Sequence, residues 1–121
     1  MYKTTEKDFT MFQKECGKWI DYFGLKDWEI KFTHEELGGN RASCWSDYPG
    51  KLSTIDLNRE WESNPQKNEI KFVAFHEVAE LLIAPLRTMA YARYVTEDEV
   101  SVANHYIIRT LENSIFKEKT K

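Results

Sequence analysis

The sequence has little cysteine: only Cys16 and Cys44 occur among its 121 residues. Two thiols this far apart form neither the framework of a disulfide-rich secreted domain nor the thiolate clip of a structural zinc site. The chain also lacks a run of about 18 apolar residues that would span a membrane, and its first residues lack the apolar core and cleavage site of a secretory signal. We therefore expect a cytoplasmic protein with two buried, reduced cysteines and no membrane partner.

Charge of one sign is not concentrated anywhere along the chain. The 17 basic and 20 acidic side chains give a formal net charge of -3, and no block of basic residues of the kind that grips nucleic acid is apparent. Nucleic acid is therefore disfavoured as the main ligand. No repeat, low-complexity segment or linker divides the chain, and its 41% hydrophobic content suits one compact core. We expect a single domain over residues 1–121.

A capping pair, Thr5 with Asp8, opens the first predicted helix, and Gly24 ends it. An apolar stripe at helical spacing lies between them, and such a stripe is typical of a helix that faces a core. The stripe consists of Phe9, Phe12, Cys16, Trp19, Ile20 and Phe23.

Alternating apolar and polar residues predict a half-buried strand at residues 28–33. Residues 41–47 and 51–57 flank a Tyr-Pro-Gly segment, so they form a predicted second and third strand joined by a tight connection. We expect a three-stranded, largely antiparallel sheet. His34, just past the first strand, is interpreted as a solvated loop residue.

Two more helices are predicted in the C-terminal half. Asn64 followed by Pro65 predicts the start of the first of them, and Pro85 predicts its end. A second capping box, Thr96 with Glu99, predicts the start of the last helix. The order helix, three strands, helix, helix indicates an α+β domain. The apolar stripe of the last helix consists of Val100, Ala103, Ile107, Leu111 and Ile115.

The segment F-V-A-F-H-E-V-A-E-L-L-I-A, residues 72–84, places His76, Glu77 and Glu80 in an otherwise apolar helix. A helix that is apolar nearly all round is normally buried, and a buried carboxylate needs a partner or a proton. His76 and Glu80 lie about 40° apart around the axis, so their side chains can converge on one metal ion. Glu77 is displaced by about 100°, which leaves it able to hold a water beside that ion.

The segment H-E-V-A-E resembles the H-E-x-x-H helix of zinc metallopeptidases, with Glu80 in the position of the second histidine. Zinc accepts carboxylate oxygen, and catalytic zinc commonly has two His ligands, one Glu ligand and an open position for water. The resemblance implies that zinc activates a water and that Glu77 is the general base for hydrolysis of a peptide bond.

The order of elements is similar to the minimal zincin core, which spans most of the chain. More narrowly, H-E-V-A-E-L-L-I-A-P-L followed by R-Y-V-T-E-D-E-V resembles a group of small metallopeptidase-like proteins carried by bacteriophages and prophages. That group usually has a histidine at position 80 and a carboxylate near Asn104 and His105. Exchange of these two roles implies the ligand set His76, Glu80 and His105. The resemblance also implies a location in the host bacterial cytoplasm.

The third ligand is open to other assignments. Helical phase places His105 nearly opposite the apolar stripe of the last helix, whereas Asn104 lies beside that stripe. Glu97 and Glu99 are further candidates, but acidic residues are favourable at a helix N-terminus without any metal. The zincin resemblance also implies that an extended peptide pairs with a sheet edge at the strand around residues 53–57.

Two alternatives to a peptidase remain open. In the first, the domain is a zincin-like scaffold without catalysis that binds another protein, for example in a host cell. In the second, the fold is unrelated to zincins and the acidic residues belong to a structural network of ion pairs. In the network, Glu77 and Glu80 pair with Lys71, Arg87 or Arg93. The sequence does not indicate an oligomeric state.

Overall fold

The structure is a computed structural model that describes residues 1–117. The predicted order of helix, three strands, helix and helix is confirmed. The bounds are β1 Tyr2–Lys3, α1 Glu6–Phe23, β2 Glu29–Glu35, β3 Ala42–Asp47, β4 Leu52–Asn58, β5 Glu60–Trp61, α2 Lys67–Tyr91 and α3 Glu97–Leu111. Two short strands that the sequence did not indicate, β1 and β5, pair with each other. A π-helical turn, Glu112–Phe116, extends the last helix.

The two predicted capping boxes are confirmed. At the start of α1 the Asp8 N–H donates to Thr5 Oγ1 at 3.1 Å and the Thr5 N–H donates to Asp8 Oδ2 at 2.9 Å. At α3 the Glu99 N–H donates to Thr96 Oγ1 at 3.1 Å. These bonds satisfy backbone N–H groups that have no partner inside the helix. The chain leaves α1 at Gly24, whose φ of 70° is left-handed.

The sheet has the order β2-β4-β3 and is mixed. The hairpin pair β3–β4 is antiparallel, as predicted, but β2 pairs with β4 in parallel. Alternation within a strand shows which face is buried and does not show which strand lies beside it. Ile55 and Leu57 of β4 are fully buried, which explains why β4 takes the central position. The expected sheet edge around residues 53–57 is therefore wrong, and β3 is the edge strand beside α2.

Helix α2 differs from its predicted bounds at both ends. Its N-cap is Gln66 rather than Asn64, and the Gln66 N–H donates to Glu69 Oε1 at 3.2 Å. The helix continues through Pro85 to Tyr91. Proline removes one helical hydrogen bond, but Pro85 is fully buried in the core, so packing outweighs that loss. No helix within residues 1–117 is long and apolar enough to cross a membrane.

One core joins the three helices to a single face of the sheet. Phe12 of α1, Ile55 of β4 and Leu81 of α2 are fully buried and belong to one apolar cluster. Ile107 and Leu111 of α3 are partly buried and pack against this cluster. Val100 and Ile115, at the two ends of the predicted stripe, are 37% and 41% exposed, so the stripe is covered in its middle and open to solvent at both ends.

The interpretation of His34 as a solvated residue is wrong. His34 lies in β2, is buried, and stacks on Phe9 with a centroid separation of 4.8 Å. Its Nε2 is 2.6 Å from Thr4 Oγ1, and that hydroxyl donates to the Asn58 carbonyl. Its Nδ1 lies 3.5 Å from a Glu6 carboxylate oxygen. The partners Thr4 and Phe9 are distant in sequence, so alternation around residue 34 could not show them.

We expect His34 to make folding stability depend on pH. Burial and the nearby Arg59 charge lower the pKa of His34, and they outweigh Glu6. The folded protein then binds fewer protons than the unfolded chain, so stability is present above about pH 6.5 and is lost as the pH falls. Denaturant titrations at several pH values, with a chelator present, should show that the unfolding free energy of His34→Gln falls less steeply at acid pH than that of wild type. The exposed His105→Gln is the matched control, and equal slopes for wild type and His34→Gln would contradict the prediction.

Candidate metal centre

One imidazole and two carboxylates meet on α2. A ring nitrogen of His76 and one carboxylate oxygen each of Glu77 and Glu80 all lie within 4.8 Å of one another. Ligands on a tetrahedral zinc ion are about 3.4 Å apart, given bonds of about 2.1 Å. Small side-chain rotations would therefore bring the three groups around one ion. The group could hold a metal ion.

The convergence of His76 and Glu80 is the arrangement that the helical spacing predicted. Glu77 differs from the prediction, because its carboxylate belongs to the same group instead of standing beyond direct reach of an ion. A flexible side chain of this length can compensate for 100° of helical phase. Glu77 is thus a candidate ligand as well as a candidate general base.

Glu77 is the most unusual residue of the group. It is 4% exposed, and its Oε2 atom has no hydrogen-bond partner. Burial raises the pKa of Glu77 to about 8, and the negative charge of Glu80, a hydrogen bond with Glu80 and the charge of Asp56 act in the same direction. A buried oxygen without a partner is costly. A bound cation would supply the missing partner, so these residues fit a metal ion.

Glu80 has a basic neighbour as well. Its Oε1 lies 3.5 Å from an Arg87 guanidinium nitrogen, and Arg87 lies over the Tyr91 ring at 5.7 Å. This is one of the ion pairs that the structural-network alternative expects. Within residues 1–117, Glu77 makes no such pair with Lys71, Arg87 or Arg93. The network therefore accounts for Glu80 and leaves Glu77 unexplained.

The group opens onto a shallow pocket of about 300 Å³. Glu77 and the exposed His76 form one wall with Phe72, and the loop that precedes β3 forms the facing wall with Gly39 and Asn40. A ligand in this pocket would contact the His76 imidazole and the Glu77 carboxylate. The pocket therefore gives the group an approach from solvent.

Asn58 holds the loop that forms the facing wall. Its Oδ1 accepts hydrogen bonds from the Leu37 N–H at 3.1 Å and the Glu60 N–H at 3.0 Å. Its Nδ2 donates to the Gly38 carbonyl at 3.1 Å and the Asn40 carbonyl at 2.5 Å. Asn58 is 2% exposed, so the buried carboxamide replaces the backbone partners that this loop lacks. Nothing in the local sequence indicates this role.

Arg41 fixes the other end of the same loop. Its guanidinium donates to Glu62 at 3.0 Å, to Glu69 at 3.0 Å and to Ser63 at 2.9 Å. It also lies over the Trp61 ring at 4.7 Å. Hydrogen bonds and charge from Glu62 and Glu69 raise the pKa of Arg41 in spite of its partial burial. Arg41 thus ties β3 to the start of α2, and its charge is already balanced.

Cys44 lies near the acids but remains a thiol. Burial raises its pKa to about 12, and the charges of Glu77 and Glu80 add to that rise, while a hydrogen bond with Ser53 opposes it. Only thiolate is a good metal ligand or nucleophile. Both cysteines are free, as predicted, although Cys44 is half-buried rather than buried.

Helix α3 brings none of its candidate ligands to the group. His105 is exposed, and its Nδ1 lies 2.8 Å from the Ser101 carbonyl oxygen. Glu99 serves as the acidic member of the Thr96 capping box. Glu97 is exposed and outside the group as well, and Asn104 is exposed on α3. Among residues 1–117 the group consists of His76, Glu77 and Glu80, without His105.

The site therefore rests on its own geometry, because no protein-family model, curated protein or solved structure matches this chain.

Proposed function

We propose that the protein is a zinc-dependent hydrolase of peptide bonds, with a zincin-like arrangement on α2. His76 and Glu80 hold the ion, and Glu77 takes the proton from the attacking water. The observation that carries the proposal is the buried Glu77 oxygen without a partner, beside an imidazole and a second carboxylate. The resemblance to phage and prophage metallopeptidase-like proteins, and a bacterial cytoplasmic location, belong to the same proposal.

Glu77 is the residue that would accept the proton of the attacking water. Zinc held by His76 and Glu80 would lower the pKa of that water and polarise a carbonyl group, and its charge would favour the ionised form of Glu77. A general base works best when its pKa is near the working pH, and burial has moved the pKa of Glu77 in that direction.

The edge strand supports a peptide as the substrate. β3 pairs with β4 on one side only and packs beside α2. Its other edge offers backbone N–H and C=O groups that can pair with an extended chain. A peptide bound there would run close to the pocket that contains His76 and Glu77.

A second candidate is a metal site without catalysis, in a domain that acts by binding another protein. Two observations favour it: the Glu77 carboxylate lies among the potential ligands, and α3 brings no third ligand within residues 1–117. If Glu77 coordinates the ion, it is not available as a base. The two candidates therefore assign different roles to one residue.

Metal content distinguishes the candidates. Elemental analysis of tag-free protein purified without chelator should find about one zinc ion per chain, and His76→Ala and Glu80→Ala should lose it. Glu77→Gln should keep the ion but lose hydrolysis of casein-derived peptides by about 10²-fold or more if Glu77 is the base. Loss of the ion in Glu77→Gln would instead identify a ligand and support the binding module.

His105→Ala is the matched imidazole control and should keep its zinc. Loss of zinc in that variant would restore the ligand set that the sequence suggests. Wild-type protein without bound metal would contradict both candidates and leave the ion pair with Arg87 as the role of Glu80.

A further inference from the structure

The outward face of α2 carries an apolar stripe. Phe72, Phe75, Ile83 and Leu86 are 69%, 39%, 46% and 37% exposed. They lie within about 80° of one another around the helix axis, opposite the side that contributes Leu81 to the core, and extend over about 21 Å. Phe75 also packs edge-on against Trp19 of α1, with ring centroids 4.9 Å apart. Single exposed apolar residues are ordinary, but four on one face of a helix suggest a contact surface. We call these four residues the α2 stripe.

A basic groove lies beside the N-terminal end of the α2 stripe. It lies between α1 and the first turns of α2 and has a volume of about 590 Å³. Glu15 is the one acidic residue among the described residues that line it, and it already pairs with a lysine at 3.2 Å. Like charges held together without counter-charges repel one another. The groove is therefore suited to an anionic partner, although the whole chain has a net charge of -3. Its lysines are Lys7, Lys14, Lys18, Lys67 and Lys71.

The opposite flank has a different character. Helical phase places His76, Glu80 and Arg87 there, and Glu80 and Arg87 form an ion pair. The polar face of a helix that lies on an anionic membrane is rich in Lys and Arg, whereas the arginine on this flank is paired with an acidic residue. A groove for single-stranded nucleic acid adds aromatic side chains that stack on the bases to the basic side chains that contact phosphates, and no aromatic residue is among the described residues that line the lysine groove. Positive charge on only one flank of the α2 stripe fits a partner that carries negative charge on only one flank of its own apolar face.

We propose that the α2 stripe and the lysine groove together bind an amphipathic helix of another protein, with apolar residues along one face and acidic residues along one flank. The apolar face of the partner lies on Phe72, Phe75, Ile83 and Leu86, and its acidic flank enters the groove. A partner helix of about 14–18 residues covers the stripe at 1.5 Å per residue. The surface contains no member of the His76, Glu77 and Glu80 group, although Phe72 also lines the pocket beside that group, so the proposal is compatible with either candidate function.

A synthetic helix tests the proposal. The probe is a fluorescein-labelled, acetylated and amidated peptide of about 18 residues, with leucines at helical spacing and glutamates along one flank. Fluorescence anisotropy should show binding at least about tenfold tighter than to a scrambled peptide of the same composition. The affinity should fall as salt is raised to roughly 0.5 M, because screening weakens exposed charge pairs.

Surface variants locate the contact. Lys67→Glu with Lys71→Glu, and separately Phe72→Ser with Ile83→Ser, should each weaken probe binding about tenfold or more. Lys26→Glu with Lys31→Glu, away from the groove, is the matched control and should bind like wild type. Circular dichroism confirms that each variant is folded.

Several results would overturn the proposal. Equal binding of the scrambled peptide, or unchanged binding by the lysine variant, would show that the surface does not recognise an acidic helix. Lysine-dependent binding of vesicles of phosphatidylserine and phosphatidylcholine, or of duplex DNA, with no binding of the probe would identify a different partner. Self-association in sedimentation velocity that Phe72→Ser with Ile83→Ser abolishes would show that a second copy of the chain covers the stripe.

Discussion

Glu77→Gln is expected to make the metal-free protein more stable than wild type at pH 8, by roughly 3–5 kcal/mol at most. The pKa of Glu77 is about 8 in the folded protein and 4.5 in an ordinary environment. Between these values the folded protein binds more protons than the unfolded chain, so wild-type stability falls as the pH rises. Glutamine has no proton to lose and removes this part of the slope. It also provides a donor for Glu80.

The measurement is a set of denaturant titrations in chelator from about pH 5 to pH 8.5, since the linear extrapolation gives the unfolding free energy at each pH. Comparison with wild type is essential because His34 acts in the opposite direction below about pH 6.5. Glu36→Gln, an exposed position with no ion pair among the described residues, is the matched control. Parallel curves for wild type and Glu77→Gln would contradict the prediction.

Added zinc should offset the loss of wild-type stability that ionised Glu77 causes. A ligand that binds only the folded state stabilises it by about 2.7 kcal/mol at a hundredfold excess over its Kd. The gain should grow as the pH rises, because an ion displaces the proton that Glu77 holds. His76→Ala, which lacks the imidazole of the group, should show little gain.

Asn58→Asp is expected to destabilise the protein by about 3 kcal/mol at pH 7. The substitution changes the size of the side chain very little. In wild type the carbonyl oxygens of Gly38 and Asn40 accept hydrogen bonds from the Asn58 amide. The substitution removes these donors and turns a carboxylate oxygen towards the two carbonyl oxygens. Asn58 is 2% exposed, so water cannot relieve the repulsion.

Chemical denaturation measures this loss, and hydrogen exchange at residues 37–40 shows where it acts. Protection in that loop should fall more than in the core helices, since its backbone groups depend on one carboxamide. Asn104→Asp, on the exposed surface of α3, should stay within about 0.5 kcal/mol of wild type. A loss of stability without faster exchange in the loop would mean that Asn58 acts elsewhere.

Local patterns in the sequence predict much of the fold. The capping boxes at Thr5 and Thr96 and the helical spacing of His76 and Glu80 depend on neighbours three or four residues away, and the structure confirms all of them. The α+β class follows from the same information, because the order of elements is visible in the periodicity.

Features that depend on distant residues could not be predicted in this way. His34 is buried by Thr4 and Phe9, and Pro85 stays inside α2 because its packing in the core outweighs the lost helical hydrogen bond. The sequence shows no block of basic residues, and the lysine groove appears only when α1 and α2 lie side by side. The exposed position of His105, in contrast, agrees with the helical phase of α3.

The position of β4 at the centre of the sheet has a consequence for how the chain acquires its structure. β2 and β3 both pair with β4 and not with each other, so a ribosome must release residues 52–58 before either earlier strand finds a neighbour. The aromatic side of α1 stays uncovered for longer still, since α2 is made later. We therefore expect nascent chains of this protein to need chaperone protection until α2 emerges. Chains whose translation stops before α2 should be unfolded and prone to aggregation.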